Sequence, residues 1–306
     1  MHGVFVLALH SHIERLQPAL QKPARERIRG LTPDHHLPAN LVDERLVPAY
    51  DAGKDVVVPI QKLGCRVDDD VDTVLDGTEV DRARKRRINN EGIALVVDST
   101  FASPVNFRPI EHGVDVVIHS ATKYLNGHHD ILAGVVCGNE PFIDEVRRKM
   151  MVWGQAPDPF ACWLLERGLK TLDVRVKRQN ENAMQIAEWC SKRPEIAKVH
   201  YPGLPSHPDH EIAKSILDGF GGMMAIEIRG AGPAAIRFAQ ALKVFAYAAS
   251  LGGVDSLVIE PRYSSHEHMS AEERARIGIP DGFLRMSIGI ENVEDLIADI
   301  EQALQQ

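Results

Sequence analysis

Residues 94–138 constrain this chain more than any other stretch: ALVVDSTFASPVNFRPIEHGVDVVIHSATKYLNGHHDILAGVVCG. Three short runs, 94–97, 114–118 and 132–136, are rich in β-branched residues, lack an interior proline and are bounded by polar residues or glycine. That pattern predicts strands buried in a sheet rather than amphipathic helices. Apolar runs without alternation suit a parallel sheet covered on both faces.

Two charged residues fall where open α/β sheets bind ligands, just outside the carboxyl ends of strands. Asp98 directly follows the first run, and Lys123 lies beyond the second in His-Ser-Ala-Thr-Lys-Tyr, with Ser120 and Thr122 before it. An Asp and a Lys at neighbouring strand ends are most often a plain ion pair. The same set also meets the needs of pyridoxal phosphate (PLP). An amine forms a Schiff base with the aldehyde, a carboxylate keeps the pyridine nitrogen protonated, and hydroxyls hydrogen-bond the phosphate.

The wording of the segment decides between these readings. VVDSTFASP followed by HSATKYLNGHHDILAG closely resembles the Cys/Met-metabolism family of PLP enzymes, the cystathionine γ-synthase-like transsulfuration group. The resemblance runs from about Ile93 to the C-terminus. It implies an α/β fold of the fold-type-I PLP-transferase kind: a mostly parallel sheet with helices on both faces, and a smaller C-terminal α+β domain. It makes Lys123 the Schiff-base lysine and later the acid/base that moves substrate protons. Asp98 becomes the partner of the pyridine nitrogen, and Ser120 and Thr122 become phosphate ligands. Arg285, in LRMSIG, grips the substrate carboxylate through its guanidinium fork. Ser250, in SLGG, orients the lysine and substrate, and the glycines after it predict a tight backbone approach. Partial burial and neighbouring positive charge are expected to lower the Lys123 pKa, as a general base requires.

The implied activity is elimination or replacement at Cγ or Cβ of a sulfur amino acid, of the cystathionine γ-synthase/lyase type. Some γ-synthases and γ-lyases of the group carry glutamate directly before Ser-Leu-Gly-Gly, where this chain has Ala249. Cystathionine β-lyase, methionine γ-lyase and O-acylhomoserine sulfhydrylase therefore stay open. The family's phosphate-gripping tyrosine and arginine, and its Ser-Gly-Met-type turn, have no legible counterpart in residues 1–92. A non-catalytic member that binds little PLP is the rival reading.

Organisation follows from periodicity. Residues 1–92 form an atypical segment, dense in proline and charge over 17–43. A strand is expected at 55–60 and a charged helix at 79–90. Residues 93–180 are expected to form part of the PLP-binding domain, and 181–306 the C-terminal domain. Helices are predicted over 141–151, 158–190, 211–217 and 234–242, with strands near 199–201, 223–230 and 283–290. Ser270 and Glu273 have capping-box spacing, and Asn292 is the expected N-cap of the closing helix.

Charge and composition exclude other classes. A net charge of −8 without a basic stripe points away from nucleic acid and anionic membranes. No apolar run reaches the roughly 18 residues of a membrane span, and the opening residues lack a signal peptide's basic start. Cys65, Cys137, Cys162 and Cys190 are scattered and predict buried, reduced thiols in a cytoplasmic protein. The histidines, including His128 and His129, are not expected to bind metal. The expected partners are a small amino-acid substrate and other copies of the chain, as a homodimer or homotetramer.

Overall fold

The computed structural model describes residues 55–59, 94–154 and 156–306. The expected helix at 79–90, and Cys65, lie outside the described residues.

The first sheet runs in the order β1 (Asp55–Pro59), β2 (Ala94–Asp98), β3 (Val116–Ser120) and β4 (Gly134–Gly138). The first three strands are parallel, with Val97 opposite Val117 and Asp98 opposite Ile118. Residues on the two faces of β2 and β3 enter different clusters. Val96 and Val116 join Val136, Phe142 and Ile143, whereas Leu95, Val97 and Val117 join Val114 and Ile110. Burial on both sides is why these runs do not alternate.

The third run is the antiparallel member of this mostly parallel sheet: β4 pairs antiparallel to β3, with Ser120 opposite Gly134. A parallel return needs a crossover of about a dozen residues or more, usually helical. Here residues 121–133 are spent on the turns that carry Lys123.

Helix α1 (Ser103–Asn106) is a single turn after β2, and α2 (Glu140–Trp153) follows β4. The helical pattern over 158–190 resolves into two helices, α3 (Pro159–Leu169) and α4 (Leu172–Cys190). The Asp158 carboxylate starts the first by accepting from the backbone amides of Phe160 and Ala161. Helix α4 is the beam of the molecule. Its first half reaches the Lys123 turn through Arg175, while Asn182 donates to the carbonyls of Gly289 and Glu291. Ala183, Ile186, Ala187 and Cys190 enter the C-terminal core.

That core covers a second sheet in the order β5 (Ile196–His200), β6 (Met223–Ile228), β9 (Phe283–Ser287), β8 (Leu257–Ile259) and β7 (Ala246–Tyr247). Only β7 and β8 pair in parallel. Helices α5 (His210–Ile216), α6 (Ala231–Ala241), α7 (Ala271–Arg276) and α8 (Val293–Leu304) complete it. The capping box of Ser270 and Glu273 and the Asn292 cap form as expected. Cys137, Cys162 and Cys190 are free thiols, but only Cys190 is fully buried.

Candidate active site

The site is assembled from two adjacent strand ends, the turn after β3 and the loop before β8. Asp98 ends β2. Its Oδ1 accepts from the Thr100 amide at 2.9 Å and the Thr100 hydroxyl at 2.6 Å, an Asx-type turn that fixes the carboxylate locally. The Thr100 hydroxyl oxygen in turn accepts from the Ser120 amide at 2.8 Å. One threonine thus ties the end of β2 to the end of β3. Asp98 Oδ2 and the Ser120 hydroxyl take no hydrogen bond among the described residues.

Lys123 follows in a turn where its amide donates to the Ser120 carbonyl and its carbonyl accepts from Gly127. The Lys123 amine makes no ion pair with Asp98 or any other carboxylate among the described residues. Nζ instead donates to Ser250 Oγ at 3.3 Å. Partial burial first, and the Arg285 guanidinium second, hold its pKa below the ordinary lysine range. Both causes act as the sequence led one to expect. The Ser250 hydroxyl also meets His129 Nδ1 at 3.0 Å.

Arg285, on β9, donates to the carbonyls of Ala249 at 2.8 Å and Ser250 at 3.2 Å. It therefore braces the loop that presents Ser250 while adding positive charge beside Lys123. The glycines of this loop are required sterically. A Cβ on Gly252, whose φ is +74°, would meet the Tyr124 ring, and one on Gly253 would run into the His129 imidazole. Thr122 uses its hydroxyl on β4's approach, accepting from the Ala133 amide at 3.1 Å and facing the Ala133 carbonyl at 3.5 Å. Asp98, Ser120, Lys123, Ser250 and Arg285 thus form one connected region, with Thr122 pinning its edge.

Three contributors were not singled out from the sequence. Thr100 sits two residues beyond a strand-end aspartate, the spacing of a side-chain-capped turn. Arg175 is 3% exposed and donates to the carbonyls of Tyr124, Leu125 and Gly168. Burial pushes it down to about 10, so it remains a cation at neutral pH. No local signal marks it, because its partners lie far away in sequence. His119, on β3, has a buried Nδ1 without a hydrogen-bond partner. Burial pushes the ring down to about 4, only partly offset by the nearby Asp98 carboxylate and a bond to the Ser99 backbone.

A PLP molecule needs an amine for its aldehyde, an acceptor for its ring nitrogen and donors for its phosphate. Lys123, Asp98 and Ser120 each retain that capacity, so the residues present fit the group. Among the described residues no set of three or more His, Cys, Asp or Glu side chains is arranged to hold a metal.

A strand-end carboxylate and a lysine one turn beyond the next strand, linked through Thr100 and Ser120, are the arrangement a PLP protein requires. The family model described as Cys/Met metabolism PLP-dependent enzyme matches residues 73–305, and the chain belongs to that family. It is 45% identical over 221 residues to cystathionine gamma-lyase of Dictyostelium discoideum, covering 71% of this chain and 56% of that protein. It is 44% identical over 228 residues to cystathionine beta-lyase of Coxiella burnetii, covering 74% and 59%. The crystal structure of the cystathionine gamma lyase CalE6 from Micromonospora echinospora superposes with a TM-score of 0.74 at 35% identity, covering 83% of this chain and 64% of that one. The chain thus spans under two thirds of the length of these relatives.

Proposed function

We propose that this chain carries the cofactor and substrate site of a PLP-dependent enzyme acting on sulfur amino acids, by elimination or replacement at Cγ or Cβ, of the cystathionine γ-synthase/lyase type. The observation that carries this reading is the state of Lys123: half-buried, without a carboxylate partner, held by Ser250 and shifted toward its neutral form. A structural surface lysine has no need of that environment.

Bound PLP would supply an electron sink for the bond broken next to the substrate's amino group. The chain's own residues do the rest. Asp98, clamped through Oδ1 by Thr100, would accept from the ring nitrogen with its other oxygen. Ser120 would turn its unengaged hydroxyl toward the phosphate, while Thr122, whose hydroxyl is tied to Ala133, holds the turn that presents it. Arg285 binds the substrate carboxylate, and Ser250 aims the Lys123 amine, which takes and returns protons. Ala249, whose carbonyl accepts from Arg285, presents no carboxylate before Ser250. β-Lyase, methionine γ-lyase and sulfhydrylase variants of the reaction fit the same geometry.

The partners we propose are a small amino acid and further copies of the chain. Met151, Val152 and Trp153 at the end of α2, and Phe160 and Trp163 on α3, are exposed apolar side chains, a surface suited to a homodimer or homotetramer. No helix among the described residues is long and apolar enough to cross a membrane. Free thiols fit a reducing, cytoplasmic compartment.

The test is to load the purified chain with PLP, record a visible absorption band, reduce with borohydride and map the modified peptide. Pyridoxyl on Lys123 supports the proposal. A label elsewhere, or none, defeats it and favours a non-catalytic family member.

A further inference from the structure

The Ser250 hydroxyl lies between two nitrogens, Lys123 Nζ at 3.3 Å and His129 Nδ1 at 3.0 Å. A serine hydroxyl has one hydrogen, and a protonated lysine has three hydrogens and no lone pair. While Lys123 is protonated, Ser250 must accept from it, so the serine's own hydrogen points to His129 Nδ1. The imidazole is then the tautomer with its hydrogen on Nε2.

The protein goes to some expense to keep the imidazole there. His129 has φ +57°, a left-handed conformation uncommon for a side chain other than glycine, and such strain persists where the surroundings over-determine it. Its Nε2 is buried without a hydrogen-bond partner. Gly253 gives up a side chain to make room for the ring, and the Gly253 carbonyl is itself held by Gln179 at 2.7 Å. Burial holds the His129 pKa below the ordinary histidine range; the Asp255 and Asp130 carboxylates oppose it, Lys123 and His128 act with it, and the balance favours a neutral ring able to accept.

We propose that His129 is a positioning residue for Lys123: it takes the Ser250 hydroxyl hydrogen, which makes Ser250 a fixed acceptor and keeps it off the lysine's lone pair. When Lys123 loses its proton, a serine free to rotate would donate to the amine and compete with the substrate proton that the amine is there to collect. With the hydrogen committed to His129, Ser250 locates the amine without occupying it. The inference deepens the proposed function and rests on Lys123 being the proton-moving group of that enzyme.

The test has two arms. In the cofactor-free chain, ¹⁵N NMR of the His129 ring should show hydrogen on Nε2 and an accepting Nδ1, and Ser250→Ala should shift the Nδ1 resonance and mix the tautomers. In the PLP-loaded enzyme, His129→Gly and His129→Asn both suit the left-handed backbone. The glycine variant should lower kcat about tenfold, the scale of one lost hydrogen bond, with KM unchanged. The asparagine variant, whose side-chain oxygen also accepts, should recover part of that loss. Hydrogen on Nδ1 in the unaltered chain, an Nδ1 resonance indifferent to Ser250→Ala, or an unchanged kcat in His129→Gly overturns the inference. Failure of borohydride to label Lys123 would instead defeat the proposed function, and the cofactor-free arm would still decide who holds the serine's hydrogen.

Discussion

The turn that carries Lys123 and the sheet that carries Arg285 are built by opposite rules. Around β6, β8 and β9 the core is apolar and saturated: Ile226, Val258, Leu284, Met286 and Ile288 are fully buried in one cluster with helices α4, α6 and α8. Around β2 and β3 the same chain tolerates a His129 with positive φ, buried nitrogens of His119 and His129 without partners, and a buried cationic Arg175 held by carbonyl groups and the Thr171 hydroxyl, with no carboxylate partner among the described residues. Each such feature costs stability. The difference teaches where the fold is supported and where that support is used. The C-terminal core provides apolar burial, and the lysine turn holds polar groups in positions that a stability-only design would avoid.

The comparison breaks most sharply at Lys123 itself. Lys123→Ala should reduce turnover of a sulfur amino acid by more than about a thousandfold, because carrying the cofactor and moving protons both depend on that amine. The denaturation midpoint should hold or rise, since a half-buried cation is removed. A variant that unfolds would place Lys123 among structural residues.

The mirror experiment is Leu284→Ala. Removing a fully buried leucine from the C-terminal cluster should cost about 2–5 kcal/mol in chemical denaturation, while activity per folded molecule stays near that of the unaltered chain. A change in KM or kcat without a loss of stability would mean that the two regions are not separable in this way.

A smaller effect concerns His119. Its folded pKa of about 4 lies below the ordinary 6.5, so the unfolded chain binds the extra proton first as pH falls. The stability due to the neutral buried ring is fully present above about pH 6.5 and is lost as pH drops toward 4, to the extent of roughly 3 kcal/mol. His119→Leu should flatten the fall in denaturation free energy over that window. An unchanged slope would show that His119 is not the group responsible.

Much of the fold was legible because local chemistry and tertiary role agree. The runs at 94–97 and 114–118 are apolar on both faces and buried on both. Ser270 with Glu273, and Asn292, cap helices through bonds to residues two or three positions away. The strand at 55–59 was likewise marked by DVVVP. Asp98, Lys123, Ser250 and Arg285 were legible through the phrases that surround them.

What was missed depends on distance along the chain. Arg175 acts on Tyr124, and Ser250 meets His129, across separations of 51 and 121 residues that no local pattern encodes. Strand β8 is only three residues long and sits among Gly, Asp and Ser. The break between α3 and α4 interrupts an amphipathic pattern that runs on through Lys170 and Thr171. Just before the break Gly168 packs against Asn126, where a Cβ would clash with backbone. The antiparallel entry of β4 follows from how residues 121–133 are used, and only the three-dimensional turn reveals that use.

The central claim is that the fold holds the Lys123 amine poised toward its neutral form, by burial and by Arg285, with Ser250 rather than a carboxylate as its partner. NMR titration of the lysine side chains in the cofactor-free chain tests it most directly, with Lys123→Arg to assign the resonance. The account predicts that Lys123 titrates below the ordinary lysine value of 10.5, and moves upward when Arg285→Ala removes the neighbouring charge. A Lys123 that titrates at or above that value, indifferent to Arg285, would contradict it.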